Sequence, residues 1–139
     1  MGSLSKLFPK KDGKQDGPFE LYHENGQLKE RGTYKDREQD GLFEFYNEYG
    51  QLNGKKTYKD GKQDGPYEWY YQDGQLQEKG TYKDREQDGL FEFYNEYGQL
   101  KEKGTFNMGK RCGKWIEDGK TPTYDPCPDC DNEWVPYTE

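Results

Sequence analysis

The sequence predicts an all-β fold, an elongated single-layer antiparallel meander of repeated β-hairpins with about ten strands. The first observation behind this prediction is a dipeptide, Asp-Gly, that recurs every 24 residues. It stands at Asp16-Gly17, Asp40-Gly41, Asp64-Gly65 and Asp88-Gly89. The second is that an aromatic-rich segment follows each copy, and the third is that Gly-Gln-Leu recurs at the same interval from Gly26 onward. Periods of 20 to 50 residues are typical of arrays whose units bury their apolar faces against their neighbours.

One unit, read from Gly41, has the pattern of a hairpin. Phe43 and Phe45 alternate with Glu44, which is the period of a strand and not of a helix. The turn follows at 48–51, where Gly50 supplies the positive φ that a tight hairpin needs. The chain then returns through Leu52 to Tyr58, and residues 59–65 are predicted to form a longer second turn. On this interpretation the Asp-Gly dipeptides join successive hairpins.

A coarser period of 48 residues lies on top of the first, because 33–52 and 81–100 are identical. Trp115 stands 24 residues after Phe91, which indicates a degraded fifth unit that caps the array. We therefore expect an N-terminal arm or tag at 1–11 and four repeats at 12–109. Residues 110–139 are expected to hold the divergent fifth repeat and a Cys- and Pro-containing cap.

The composition narrows the class of partner. Only 28% of the 139 residues are hydrophobic and 35% are charged, yet 13 Tyr, 7 Phe and 3 Trp supply buriable surface at fixed positions. The net charge of −7 argues against nucleic acid and anionic lipid, which are bound through excess Lys and Arg. No apolar run is long enough to insert into a bilayer. The start at Met1-Gly2-Ser3 is typical of an expression vector, so a cytoplasmic location and a periplasmic or surface-lipoprotein location both stay open.

The two faces of the predicted sheet have different residues. The structural core is predicted to comprise Phe19, Phe43, Phe45, Tyr67, Trp69, Phe91, Phe93 and Trp115. The opposite face carries a stripe of phenols and carboxylates that are candidate partner-binding residues, namely Tyr22, Tyr46, Tyr70, Tyr94, Glu20, Glu44, Glu68 and Glu92. The alternative is that these tyrosines pair across strands to cover a thin sheet.

Glycine recurs in the return strands of the units. Gly32, Gly80 and Gly104 occupy equivalent positions, where the missing side chain is predicted to leave room for an aromatic ring from the next strand. Lys56 departs from this pattern in the second unit.

No catalytic residues are predicted. The single histidine, His23, falls in a hairpin turn and is expected to be exposed. All three cysteines, Cys112, Cys127 and Cys130, lie near the C-terminus. We expect a disulfide from Cys112 to one of the other two, or free thiols. The same three cysteines are the candidate metal ligands, but a structural zinc site takes four ligands, so neither a metal nor a cofactor is predicted.

These residues resemble the bacterial variant of the MORN repeat, as found in YwqK-type antitoxin proteins. The matching segments are Gly17-Pro18-Phe19-Glu20-Leu21-Tyr22, Asn25-Gly26-Gln27-Leu28 and Gly32-Thr33-Tyr34, each with three close copies downstream. The resemblance implies an elongated single-layer sheet used for binding, and it brings no catalytic residues with it.

Two functions are expected from the resemblance and the charge. The first is an antitoxin or immunity-type protein that neutralises a cognate toxin or effector by direct binding. The second is a structural or cell-surface repeat scaffold or adhesion protein, which the near-identical units favour, and membrane-lipid binding is a third. The expected partner is a protein and not a nucleic acid, without membrane insertion, and the chain is expected to be a monomer or an edge-paired dimer.

Overall fold

The computed structural model describes the backbone of residues 4–7, 10–11 and 14–128, and the side chains from Asp16 to Pro128. These residues form strands and turns, with no helix among them. The short N-terminal strands are β1 (Leu4–Leu7), β2 (Lys10–Lys11) and β3 (Lys14–Gln15). The strands of the array are β4 (Gly17–Tyr22), β5 (Leu28–Lys35), β6 (Glu38–Gln39), β7 (Gly41–Tyr46), β8 (Leu52–Lys59), β9 (Lys62–Gln63), β10 (Gly65–Tyr70), β11 (Leu76–Lys83), β12 (Glu86–Gln87), β13 (Gly89–Tyr94), β14 (Leu100–Asn107) and β15 (Lys110–Glu117).

One sheet of 13 strands contains all of these except β2 and β3, which form a separate two-stranded pair. Its main path runs β1-β4-β5-β7-β8-β10-β11-β13-β14-β15, and β6, β9 and β12 fold back on β5, β8 and β11. Every pairing is antiparallel between neighbours in the chain. The predicted fold class, an open meander of hairpins, is confirmed.

The connection between hairpins differs from the prediction. The tight turn lies at Asp36-Arg37, where both residues have positive φ (51° and 73°), and β6 pairs back on β5 directly after it. The Asp-Gly dipeptide comes later, where Asp40 N–H donates to the carbonyl of Thr33 (2.9 Å) and Gly41 adopts a φ of 91°. The prediction that Asp-Gly forms the inter-hairpin turn is therefore wrong. Gly41 instead kinks the strand, a conformation that glycine adopts without steric cost.

The aspartate of the dipeptide contacts the tight turn of the next unit. A carboxylate oxygen of Asp16 accepts the backbone N–H of Asp36 (3.2 Å), and Asp64 accepts that of Asp84 (3.3 Å) in the same way. Asp88 accepts the N–H of Met108 (3.0 Å). The 24-residue recurrence of Asp-Gly thus has two causes, a glycine that kinks the strand and a carboxylate that satisfies a turn N–H one unit ahead.

The core is a ladder of aromatic rings on one face of the sheet. Phe43, Tyr67, Phe91 and Trp115 are buried, while Phe19, Phe45, Trp69 and Phe93 are half-buried. Aromatic rings of the return strands, which were absent from the predicted core, complete the ladder at Tyr34, Tyr58, Tyr82 and Phe106. The Tyr34 ring centroid lies 5.5 Å from that of Phe19 and 5.9 Å from that of Phe43, both edge-on. Edge-on contacts therefore link the strands of one hairpin and continue to the next hairpin.

Glycines make room for this ladder. The Phe43 ring lies over Gly32, the Tyr67 ring over Gly80 and the Trp115 ring over Gly104. In the second unit the glycine is displaced by two residues. The indole of Trp69 lies over Gly54, and the ammonium of Lys56 stands 5.4 Å from one Trp69 ring centroid and 5.5 Å from that of Phe45. Lys56 therefore replaces the missing glycine with a cation–π contact.

The last strand is covered by the segment that follows it. Trp115 N–H donates to Pro122 O (3.0 Å), and Tyr124 N–H donates to Gly113 O (2.8 Å). A disulfide joins Cys112 and Cys127, while Cys130 lies outside the described residues. The covering segment satisfies backbone groups of β15 that would otherwise form an open sheet edge.

Reduction of this disulfide is expected to lower the free energy of unfolding by about 3 kcal/mol, the loop-closure entropy of a cross-link of this span. The two cysteines stand 15 residues apart. Urea unfolding with and without reductant measures the difference. Cys127→Ser is the control, because its stability should not respond to reductant. An equal response in that variant would contradict the assignment of the effect to this bond.

Candidate functional site

A row of alternating charges crosses the face opposite the aromatic ladder. We name it the charge ladder, and it comprises Glu20, Arg31, Glu44, Lys55, Glu68, Lys79, Glu92 and Lys103. Each member stands directly opposite the next on the neighbouring strand. Arg31 Nε lies 2.8 Å from a carboxylate oxygen of Glu44, and Lys55 Nζ lies 3.5 Å from one of Glu68. Opposite charges that face each other across strands favour this pairing.

The tyrosines of the predicted stripe are hydrogen-bonded to the charge ladder. The Tyr46 hydroxyl donates to Glu44 (3.0 Å) and the Tyr94 hydroxyl to Glu92 (2.9 Å). Tyr22 donates to Glu20 and Tyr70 to Glu68 in the same way. These four hydroxyls already have acceptors inside the chain, so a partner has to meet the rings and not the hydroxyl protons. That they bind a partner stays a prediction.

The pKa values of these groups move in opposite directions. The hydrogen bond from Arg31, reinforced by that from Tyr46, lowers the pKa of the Glu44 carboxyl. The hydrogen bond from Tyr70 lowers the pKa of Glu68, with Lys55 contributing. Burial, together with the Glu68 carboxylate, raises the pKa of Tyr70 to about 12. The carboxylates are thus held charged and the phenol is held protonated, which are the states that the hydrogen bonds need.

We expect stability to fall as the solution is acidified below pH 4.5, the ordinary pKa of these carboxyls. A carboxyl whose pKa is lower in the folded state stabilises the fold above its unfolded pKa, and this contribution is lost as pH falls through the folded pKa. Thermal unfolding between pH 6 and pH 3 measures the loss. Glu44→Gln and Glu68→Gln should each flatten the profile, and unchanged profiles in both variants would refute this origin of the acid sensitivity.

The sequence interpretation missed a second surface, the hairpin tips, which we define as residues 23–27, 47–51, 71–75 and 95–99. Tyr49 is 67% exposed and Tyr97 is 76% exposed in the second and fourth tips. Their backbones are nevertheless fixed, because Asn47 Oδ1 accepts the N–H of Tyr49 (2.8 Å) and Asn95 Oδ1 accepts that of Tyr97 (2.9 Å).

The first and third tips support the second and fourth. His23 Nε2 lies 2.9 Å from the carbonyl of Tyr46, and the Tyr71 hydroxyl donates to the carbonyl of Tyr94 (2.7 Å). Because a carbonyl can only accept, Nε2 of His23 carries the proton in this contact. The prediction that His23 is an exposed turn residue is wrong, since it is half-buried between two hairpins.

Two further contacts repeat this arrangement closer to the turn. Asn25 Nδ2 donates to Glu48 O (2.8 Å), and Gln75 Nε2 donates to Glu96 O (3.1 Å). The 48-residue period was the signal in the sequence that pointed to pairs of hairpins. Which side chains bridge them required the three-dimensional structure.

A cleft opens beside the second tip, with a volume of about 630 Å³. Its lining includes His23, Phe45, Tyr46, Tyr49, Asn53 and Gln72. The cleft is open to solvent, and the part of the chain with assigned side chains contains no group of three or more His, Cys, Asp or Glu residues placed to hold a metal ion. Within the described residues, no helix is long and apolar enough to cross a membrane.

An open single-layer sheet built from equivalent hairpins defines a class of protein, the repeat-based binding modules. Within that class the chain belongs to the MORN repeat variant family, whose model matches residues 15–36, 39–60, 63–84 and 87–108, more than half of the chain. No curated protein sequence matches it. Arrays of this family type are binding modules and not enzymes.

Proposed function

We propose that this chain is a non-catalytic antitoxin or immunity-type protein, which neutralises a basic toxin or effector by binding it directly. The distribution of charge is the observation that carries the proposal. The charge ladder contains four carboxylates and four cations, so the net charge of −7 arises outside it. The hairpin tips contain Glu24, Glu48, Asp73 and Glu96 and no Lys or Arg.

A long, hydrogen-bonded sheet suits neutralisation by coverage. The antiparallel ladder of backbone hydrogen bonds holds the exposed side chains in fixed positions, which lowers the entropy cost of binding. An acidic edge attracts a basic partner before contact, and this raises the association rate at low ionic strength. Neutralisation then requires only that the bound module blocks the active surface of the partner.

The test is capture followed by co-expression. The immobilised full chain is exposed to lysate of its native organism at moderate salt, and bound proteins are identified by mass spectrometry. We expect one stoichiometric basic protein, whose expression is toxic alone and tolerated together with this chain. Its association rate should fall as salt is raised from 50 to 500 mM, because mobile ions screen the charges. A stoichiometric partner that is harmless when expressed alone would refute the proposal.

A structural or cell-surface scaffold is the second candidate, and the disulfide favours it. Disulfides persist in oxidising compartments outside the cytoplasm, and the Cys112–Cys127 bond ties down the cap of the array. The exact duplication of 33–52 in 81–100 also suits a spacer whose length depends on copy number. A blank capture from a folded bait, together with surface labelling of the native cell by an antibody to this chain, would favour the scaffold over the antitoxin.

A further inference from the structure

We infer that Tyr49 and Tyr97 form a two-point binding site for a basic protein surface, with one arginine or lysine side chain of the partner on each ring. This inference rests on the proposed function and names the surface that performs it. The hydroxyls of the stripe tyrosines donate to carboxylates of the charge ladder, whereas these two rings extend into solvent at the ends of their hairpins.

The surroundings of the two rings are the same. Identical residues flank them, and each tip has the same internal hydrogen bonds. Asn47 Oδ1 accepts the N–H of Gln51 (3.0 Å), and Asn95 Oδ1 accepts that of Gln99 at the same distance. The amide of Asn47 donates to Gln51 (3.1 Å), as that of Asn95 does to Gln99 (2.9 Å). A partner that fits one tip therefore fits the other.

Each tip is also held from the side by the preceding hairpin. The carbonyls of Tyr46 and Glu48 accept hydrogen bonds from His23 and Asn25. Those of Tyr94 and Glu96 accept hydrogen bonds from Tyr71 and Gln75 in the equivalent geometry. The first hairpin of each pair is thus a support, and the second presents its tyrosine.

The chemistry of the tips selects a cationic partner. The face of a phenol ring attracts an ammonium or guanidinium group by about 0.5–1 kcal/mol at an exposed site. Glu48 and Glu96 precede the two tyrosines and are exposed, and the tips contain no cation that would compete. A tyrosine also offers rigid contact area at low entropy cost.

The spacing of the two rings makes the site bivalent. Tyr49 and Tyr97 lie two hairpins apart, and four strand spacings of ~4.8 Å place them about 19 Å apart along the sheet. A flexible Gly/Ser linker of about 12 residues has a matching root-mean-square length. Two cationic groups joined by such a linker should gain affinity from the second contact, because that contact is intramolecular.

Synthetic peptides test the site without the natural partner. The probes are the acetylated tripeptide Arg-Lys-Arg, and two copies of it joined by a 12-residue Gly/Ser linker, titrated into the full chain at low salt. We expect the joined peptide to bind at least about tenfold more tightly than the single one. Tyr49→Ala or Tyr97→Ala should each abolish this gain, whereas Tyr49→Phe and Tyr97→Phe should keep most of it because they keep the ring.

Leu42→Ala and Leu90→Ala are the matched controls. These leucines are 51% and 50% exposed, recur at the same 48-residue interval and lie outside the tips. Equal affinity of the two peptides for the natural chain, or an equal loss of the gain in the leucine variants, would overturn the site.

A captured partner separates this inference from the function on which it rests. If the double variant Tyr49→Ala/Tyr97→Ala still binds and neutralises the captured toxin as the natural chain does, the tip site is wrong and the antitoxin function stands. A tenfold gain with the peptides together with a harmless captured partner would support the site and refute the antitoxin function.

Discussion

Phe43→Ala is expected to lower the free energy of unfolding by about 3–5 kcal/mol, the cost of emptying a buried phenylalanine site. The Phe43 side chain is 0% exposed. Its ring meets those of Tyr34 and Tyr58 at 5.9 and 5.3 Å and covers Gly32. In a single-layer sheet no second layer can move in to fill the cavity, so little of the loss is recovered.

Leu42→Ala is the control for this effect, since Leu42 precedes Phe43 in β7, points to the other face and is 51% exposed. Its cost should stay within about 0.5 kcal/mol, as for surface substitutions away from special features. Urea denaturation followed by tyrosine and tryptophan fluorescence measures both variants. Similar losses for the two would mean that the aromatic face does not carry the stability of the array.

Much of the fold was predictable because the period is written into the chain. The alternation around Phe43 and Phe45 predicts a strand and its buried face, and the recurrence of Gly-Gln-Leu predicts the tip of each hairpin. The Asp-Gly turn was predicted wrongly for a physical reason. Asp36-Arg37 adopts positive φ without glycine, so the residues of the true turn have no strong local signal, whereas Asp-Gly has one and forms a kink.

The candidate site was less predictable, because it depends on contacts between strands. Glu44 and Tyr46 were recognised in sequence, but their partner Arg31 follows only from the register of β5 against β7. The tips show the same limit. Asn25 and Glu48 stand 23 residues apart, and no local pattern indicates that the side chain of one meets the backbone of the other.

Gly54→Glu is expected to cost about 4 kcal/mol or more, since it combines overpacking with burial of a carboxylate. Gly54 is buried beneath the indole of Trp69, and a Cβ at this position would overlap the ring. The two residues stand opposite each other on β8 and β10. Gly54→Ala, which overpacks without a charge, should cost about 1–3 kcal/mol and separates the two contributions.

Trp69→Phe should rescue the variant, because the chain already contains the resulting pair at two equivalent places. Glu30 stands opposite Phe45, and Glu78 stands opposite Phe93. We therefore expect Gly54→Glu to cost less than about 1 kcal/mol when Trp69 is replaced by Phe, which gives a coupling energy of about 3 kcal/mol in the double-mutant cycle. Urea denaturation of the four proteins measures this coupling. Additive effects would mean that Gly54 is required by its own backbone and not by the indole above it, and the displaced glycine of the second unit would then need another cause.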